Sequence, residues 1–297
     1  MINKDDHPFA DPSPTPGTEW ATHVATDPVK ALEMFVRAWH PARQRELKPT
    51  AEAGAARSQE LPMALAALCD LVRRHPTLQD LPHHLLVPPT VSGPDRDRLV
   101  FASENQGCRH WGVPLPLTGE PDPPVWRIEN PYDPHETETR VEGEPLSGFL
   151  LQYVLCLTEL NAACQAWSHV VAVEHLTPLL DQFRRIPLKP FSMTYTDGET
   201  HCVGPGMLAA VLVDQAEAVV SLHARQPAVL EPFRDALAWR HFMGEELPKR
   251  SDPGTEGTDA VTVPDGRHTA AGKPTCGPPD CRGQDQWTGG DATDPPF

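Results

Sequence analysis

Long apolar runs are missing from this chain. No stretch approaches the roughly 18 apolar residues that a membrane-spanning helix needs. The best candidate, LLQYVLCLTEL at residues 150–160, is too short. The N-terminal MINKDDHPFADPSP lacks the apolar region of a secretory signal, so the expected compartment is the cytoplasm. Basic charge is also scarce. Lys and Arg number 25 against 41 Asp and Glu, a net charge of −16 with the 14 histidines neutral. Such a surface repels nucleic acid and anionic lipid, and no basic stripe is interleaved with aromatics. No nucleic-acid or membrane partner is expected. The short catalytic motifs are absent too: no nucleophile elbow, Walker loop or dinucleotide-binding glycine pattern, no HExxH and no paired CxxC. No internal repeat is visible.

What is present is unevenly spread. Residues 1–27 and 247–297 are rich in Pro, Gly, Thr and Asp and poor in Leu, Ile and Phe. They cannot bury enough apolar area to offset chain entropy, so both are expected to be disordered. Hydrophobic content of 39% leaves enough for a core in residues 28–246. Cys69, Cys156 and Cys164 sit in apolar patterns and read as buried thiols.

Within that core, residues 28–40 carry Leu32, Phe35, Val36 and Trp39 on one helical face, with Asp27 as cap and Pro28 in the first turn. A linker, KPTAEAGAARSQE, precedes a second helix at 61–75 that Pro76 stops. Residues 81–91 are too proline-rich for a helix and read as a loop with a short extended piece. Strands are expected at 98–103 and 108–113, joined by a tight turn from Glu104 to Gly107. Val125–Ile128 and residues 136–141 read as further short strands. Residues 146–166 read as a long helix with Phe149, Leu150, Tyr153, Val154 and Leu157 on its face. Beyond it come a helix at 175–186, a strand over PFSMTYTDG, a hairpin about Asp214–Glu217 and a helix at 227–239. Short neighbouring strands with helices before and after predict an α+β fold around a mainly antiparallel central sheet.

The run LVFASENQGCRHWGV, then DPPVW, then LSGFLLQYVL resembles the bacterial branch of the SUKH superfamily. LPMALAALCDLV and HHLLVPP upstream extend the likeness to about residues 57–165, and through the last hairpin and helix toward residue 239. The resemblance implies one α+β domain without a common catalytic apparatus or cofactor. Its bacterial members are often immunity proteins that bind and neutralise toxins. The positions carried over are Phe101, Glu104, Asn105, Gln106, Gly107, Trp111, Gly112, Asp122, Pro123, Pro124, Val125, Phe149 and Leu150. The family pattern does not explain the long tails. Architecture accounts for most of these positions: Phe101, Val125, Phe149 and Leu150 as core, Asn105 and Gly107 as turn residues, and Trp111 as a buried ring needing a partner for its N–H.

Two chemistries compete with that role. Cys108, His110 and Glu104 contain the residue types of a nucleophile, a base and an orienting acid. However, two residues of strand separate Cys108 from His110 by roughly 7 Å, beyond hydrogen-bond reach, so no catalytic residue is expected. The ligand types His83-His84, Cys108, His110 and His201-Cys202 are scattered without metal spacing, and Cys276 and Cys281, with the spacing of a small disulfide or half a metal site, read as a reactive or incidental tail pair in the absence of a second pair. No metal or cofactor is expected. The remaining reading is a non-catalytic protein-binding domain, of the immunity type, whose acidic surface meets a basic toxin domain such as a nuclease. Its candidate contacts are Glu104, Gln106, Glu136, Glu138, Glu142 and Glu144, with Glu129 and Asp133 in the same loops. The alternative is a regulatory or scaffold protein that recruits partners through the domain and its tails. Neither reading specifies an oligomeric state.

Overall fold

The computed structural model describes residues 17–40, 61–79, 84–92, 97–132, 137–189 and 199–246. The candidate linker, the PFSMTYTDG strand candidate, residues 1–16 and the segment 247–297 lie outside the described residues. Packing starts before residue 28, earlier than the sequence suggests. A single 3-10 turn at Glu19–Thr22 buries Trp20, which meets Phe35 edge-on at 4.9 Å between ring centres.

Helix α1 spans Pro28–Trp39, capped by Asp27, whose carboxylate accepts from the Lys30 N–H at 3.0 Å. Helix α2 spans Met63–Arg74, with Arg73 and Arg74 favourably placed at its negative end. A five-stranded antiparallel meander follows: β1 (His84–Ser92), β2 (Arg98–Ser103), β3 (Arg109–Pro114), β4 (Pro124–Glu129) and β5 (Glu138–Pro145), in sheet order β1-β2-β3-β4-β5. β1 occupies the segment expected to be mainly loop. Its prolines are tolerated because it is an edge strand with an irregular register against β2. At Gly112 an added Cβ would come within 2.9 Å of the Leu99 carbonyl oxygen, so the crossing of β2 and β3 demands glycine there.

Helix α3, Leu146–Leu160, is buried from Leu146 through Glu159, in keeping with its predominantly apolar sequence. Its first turn is held by a remote loop. Asp122 accepts from the Ser147 N–H at 2.8 Å and the Ser147 hydroxyl at 2.7 Å, and the Leu146 N–H donates to the Pro123 carbonyl. The DPP segment is therefore the helix's cap. The helix stops well short of residue 166. Gln165 donates its amide to the carbonyls of Glu159, Leu160 and Ala162 at 3.1–3.3 Å, closing the C-terminal end from a new strand, β6 (Cys164–Ser168).

A second antiparallel sheet continues with β7 (Val171–Ala172), then helix α4 (Thr177–Leu180), β8 (Arg184–Arg185), β9 (Thr200–Gly204), β10 (Met207–Asp214) and β11 (Glu217–Ala224). Helix α5 (Pro227–Leu230), β12 (Trp239–Phe242) and β13 (Glu245–Glu246) complete it. The order is β13-β12-β6-β11-β10-β9-β8, with β7 on β11. The expected helices at 175–186 and 227–239 are cut to single turns. Arg184 and Arg185 pair with β9, Trp239 to Phe242 pair with β6, and Pro232 follows the short α5. The α+β class holds, with two antiparallel sheets rather than one. The core between α1, α2, α3 and the first sheet includes Val203 and Leu208 of the second. A separate core on the second sheet's other face joins Ala209, Val220 and Leu222 to Phe183, Phe233 and Phe242.

Candidate functional site

The SENQG stretch is a hairpin turn. The Glu104 N–H donates to the Arg109 carbonyl and the Gly107 N–H to the Glu104 carbonyl, both at 2.9 Å, and Gly107 takes φ +73°. Asn105 and Gln106 are exposed at its tip and Glu104 is half-buried. Cys108 is exposed in the turn, with its thiol 3.9 Å from the Gln106 carbonyl. His110 lies on β3 against Tyr132, its Nε2 3.4 Å from the phenol oxygen, and burial pushes its pKa down.

Below the turn, Phe101, Trp111, Phe149 and Tyr153 form one aromatic cluster with ring centres 5.4–6.3 Å apart. Val125 and Leu150 are fully buried beside them in the same core. The Trp111 N–H donates to Glu142 at 2.9 Å, so the buried indole has the partner it needs. Glu142 closes a ladder of charges across β3, β4 and β5: Arg109 to Glu129 at 2.9 Å, Glu129 to Arg127 at 3.0 Å, Arg127 to Glu142 at 3.7 Å. Burial pushes the Glu142 carboxyl above its usual range, while Trp111 and the two arginines pull the other way. Glu144 accepts from the Lys189 N–H at 2.7 Å.

The expected contact residues therefore divide. Glu142 and Glu144 hold the fold, Glu129 is paired within the sheet, and Glu136 and Asp133 lie outside the described residues. Glu138, Gln106 and, in part, Glu104 face water. Glu138 pairs with Arg140 at 3.0 Å, and both side chains are about two-thirds exposed. The exposed surface is continuous with the first half of β5. Residues Glu138–Val141 are exposed along the sheet's edge, with Val141 55% and Tyr132 76% exposed. The second half of β5 is engaged, because the Lys189 ammonium donates to the Gly143 carbonyl.

A second cluster escaped the sequence reading. On the α3 side of the second sheet, Glu159 meets His201 Nδ1 at 3.1 Å, and Ser221 meets His223 Nε2 at 2.8 Å. All four residues are buried. Burial opposes both charges of the first pair, yet mutual attraction holds Glu159 below the usual carboxylate range and His201 above the usual imidazole range. Burial holds His223 low, and burial with the charge of Glu159 lifts Glu199 to about 7. Ser221, His223 and Glu159 are hydrolase residue types, but they are sealed within the core. The readable signal was Glu159 itself, a lone acid in an apolar helix that needed a partner. Among the described residues, no group of His, Cys, Asp and Glu could hold a metal ion, and no helix is long and apolar enough to cross a membrane. The Cys276 and Cys281 pair lies outside the described residues.

No family model, curated protein or solved structure matches this chain. The likeness to the SUKH superfamily rests on the residues quoted for it.

Proposed function

We propose that the chain is a non-catalytic protein-binding domain that takes a basic protein partner along β5 and the neighbouring outer surface of the first sheet. The observation that carries this reading is the open first half of β5: an exposed strand edge flanked by Tyr132 and Val141 and anchored from behind by the Trp111–Glu142 bond. A strand edge offers main-chain hydrogen bonds to an extended segment, and alternate side chains give specificity. The net charge of −16 steers a basic partner toward the molecule. The likeness to immunity proteins makes a toxin domain the first partner class to try, and a nuclease is basic because it binds phosphates.

The test starts from the full chain as bait at low salt. A captured protein is then rebuilt from purified components and its affinity measured. The double variant Tyr132→Ala, Val141→Asp should weaken binding about tenfold or more without moving the melting temperature. The wild-type affinity should fall as salt rises. A partner that binds residues 247–297 alone, or is indifferent to the double variant, points to the scaffold reading and overturns this one.

A further inference from the structure

Three helices end at one place. His40, His75 and Asn161 follow the last turns of α1, α2 and α3. His75 Nδ1 donates to the His40 carbonyl, and His40 Nε2 donates to the Thr158 hydroxyl at 2.9 Å. That hydroxyl in turn donates to the Val154 carbonyl at 2.7 Å, which fixes the His40 tautomer. Arg225, just past β11, donates one N–H to the Ala38 carbonyl at 2.7 Å.

Beside this junction opens a cleft of about 340 Å³, with Trp39, His40, Thr77, Asn161, Ala162 and Arg225 in its lining. That volume is at the small end for ligand sites and suits a small molecule. Helix C-termini carry partial negative charge. Here, however, the Ala38, His40, Glu159, Leu160 and Ala162 carbonyls are already closed by donors. Arg225 brings a guanidinium to the lining. Arg225 pairs with no carboxylate among the described residues, and no acid lines the cleft. Among the described residues, the buried Thr77 hydroxyl oxygen has no hydrogen-bond partner. Trp39 and Ala162 supply apolar surface. In a chain this acidic, the exposed Arg225 brings a guanidinium to a cleft with no acid among its lining residues.

We infer that this cleft binds a small aromatic carboxylate, with the carboxylate on Arg225 and the ring against Trp39. A guanidinium presents parallel N–H groups that match a carboxylate, and Thr77 and Asn161 can hydrogen-bond the same group. A free aromatic acid and the C-terminal aromatic residue of a peptide share this chemistry.

The test is calorimetric titration of the full chain with benzoate, with N-acetylphenylalanine and with benzyl alcohol as the uncharged control. Both acids should bind, and the alcohol should bind at least about tenfold more weakly. Tighter binding of N-acetylphenylalanine supports the cleft with a peptide end as its natural ligand; tighter binding of benzoate supports it with a free acid. Arg225→Gln should weaken benzoate about tenfold, and Arg225→Lys, which keeps the charge, should lose less. Thr77→Val, away from the Ala38 contact, should weaken it about threefold without changing the melting temperature. The inference is overturned if neither acid binds below about 10 mM, if acid and alcohol bind alike, or if folded Arg225→Gln and Thr77→Val bind as the wild type does.

Discussion

The two sheets meet the same helix with opposite chemistry. The first sheet meets α3 through Phe101, Trp111, Phe149 and Tyr153, a wall of rings whose polar edge, the Trp111 N–H, is satisfied by Glu142. The second sheet meets the C-terminal end of α3 through Glu159, paired with the buried His201, and through carbonyls that the half-buried Gln165 closes, beside the apolar Val203 and Leu208. The first contact is mostly non-directional, and burial pushes the carboxyl at its polar edge, Glu142, above the usual carboxylate range. The second demands that each group keep its partner and its proton, because an unpaired buried charge is costly. One helix therefore carries a face of packed rings and a face with a buried ion pair, and the proposed recognition edge lies on the side of the rings.

The largest expected effect breaks the apolar face. Phe149→Ala removes the ring that three other aromatics touch and should cost about 4 kcal/mol, read from urea unfolding. On the polar face, Glu159→Gln leaves His201 without its counter-charge and should cost about 3 kcal/mol. Replacing both Glu159 and His201 by Leu should recover most of that loss, since two apolar groups leave nothing unpaired. If Glu159→Gln is neutral, the two faces do not differ as described.

The pH dependence sharpens the comparison. Glu199 has a folded pKa of about 7 against an ordinary 4.5, so its contribution is complete below 4.5 and lost as pH rises through 7. His201 is raised from 6.5, so its contribution is also lost on the alkaline side. Glu159 is lowered from 4.5, so its contribution is lost in acid. Stability should therefore fall by about 1–2 kcal/mol between roughly pH 6 and pH 8, allowing for the partial exposure of Glu199. Melting temperatures measured across that range check it, and Glu199→Gln should flatten the curve. A smaller effect belongs to the first sheet's side: Asp122→Ala removes the remote cap of α3 and should cost about 1 kcal/mol. The smallest is Glu138→Gln at the exposed edge, within about 0.5 kcal/mol of zero.

The contrast between the sheets also explains what could be read from the residues. The first sheet is a meander, each strand pairing with the next, so the turn at Glu104–Gly107 and the alternation of flanking strands carry its topology locally. β2 starts and ends at the expected residues, and α1 and α3 start where Asp27 and the LSGF run place them. In the second sheet β6 pairs with β11 and β12, distant in the chain. Local propensity across residues 161–166 and 227–239 favours helix, and long-range pairing overrides it. The site divides the same way. Trp111, Phe149 and Asp122 were legible as architecture because their types suit core and cap. Glu142 and Glu144 looked like surface acids, since the sequence does not show that Trp111 and Lys189 come to meet them. Glu159 and His201, 42 residues apart in the chain, become a pair only when α3 lies on β9.

Hydrogen exchange of the full chain, alone and with a purified partner, tests the central claim most directly. The account predicts new protection at the backbone amides of residues 138–142, with little change across β9–β11. Protection confined to the second sheet or to residues 247–297, with β5 unchanged, would contradict it.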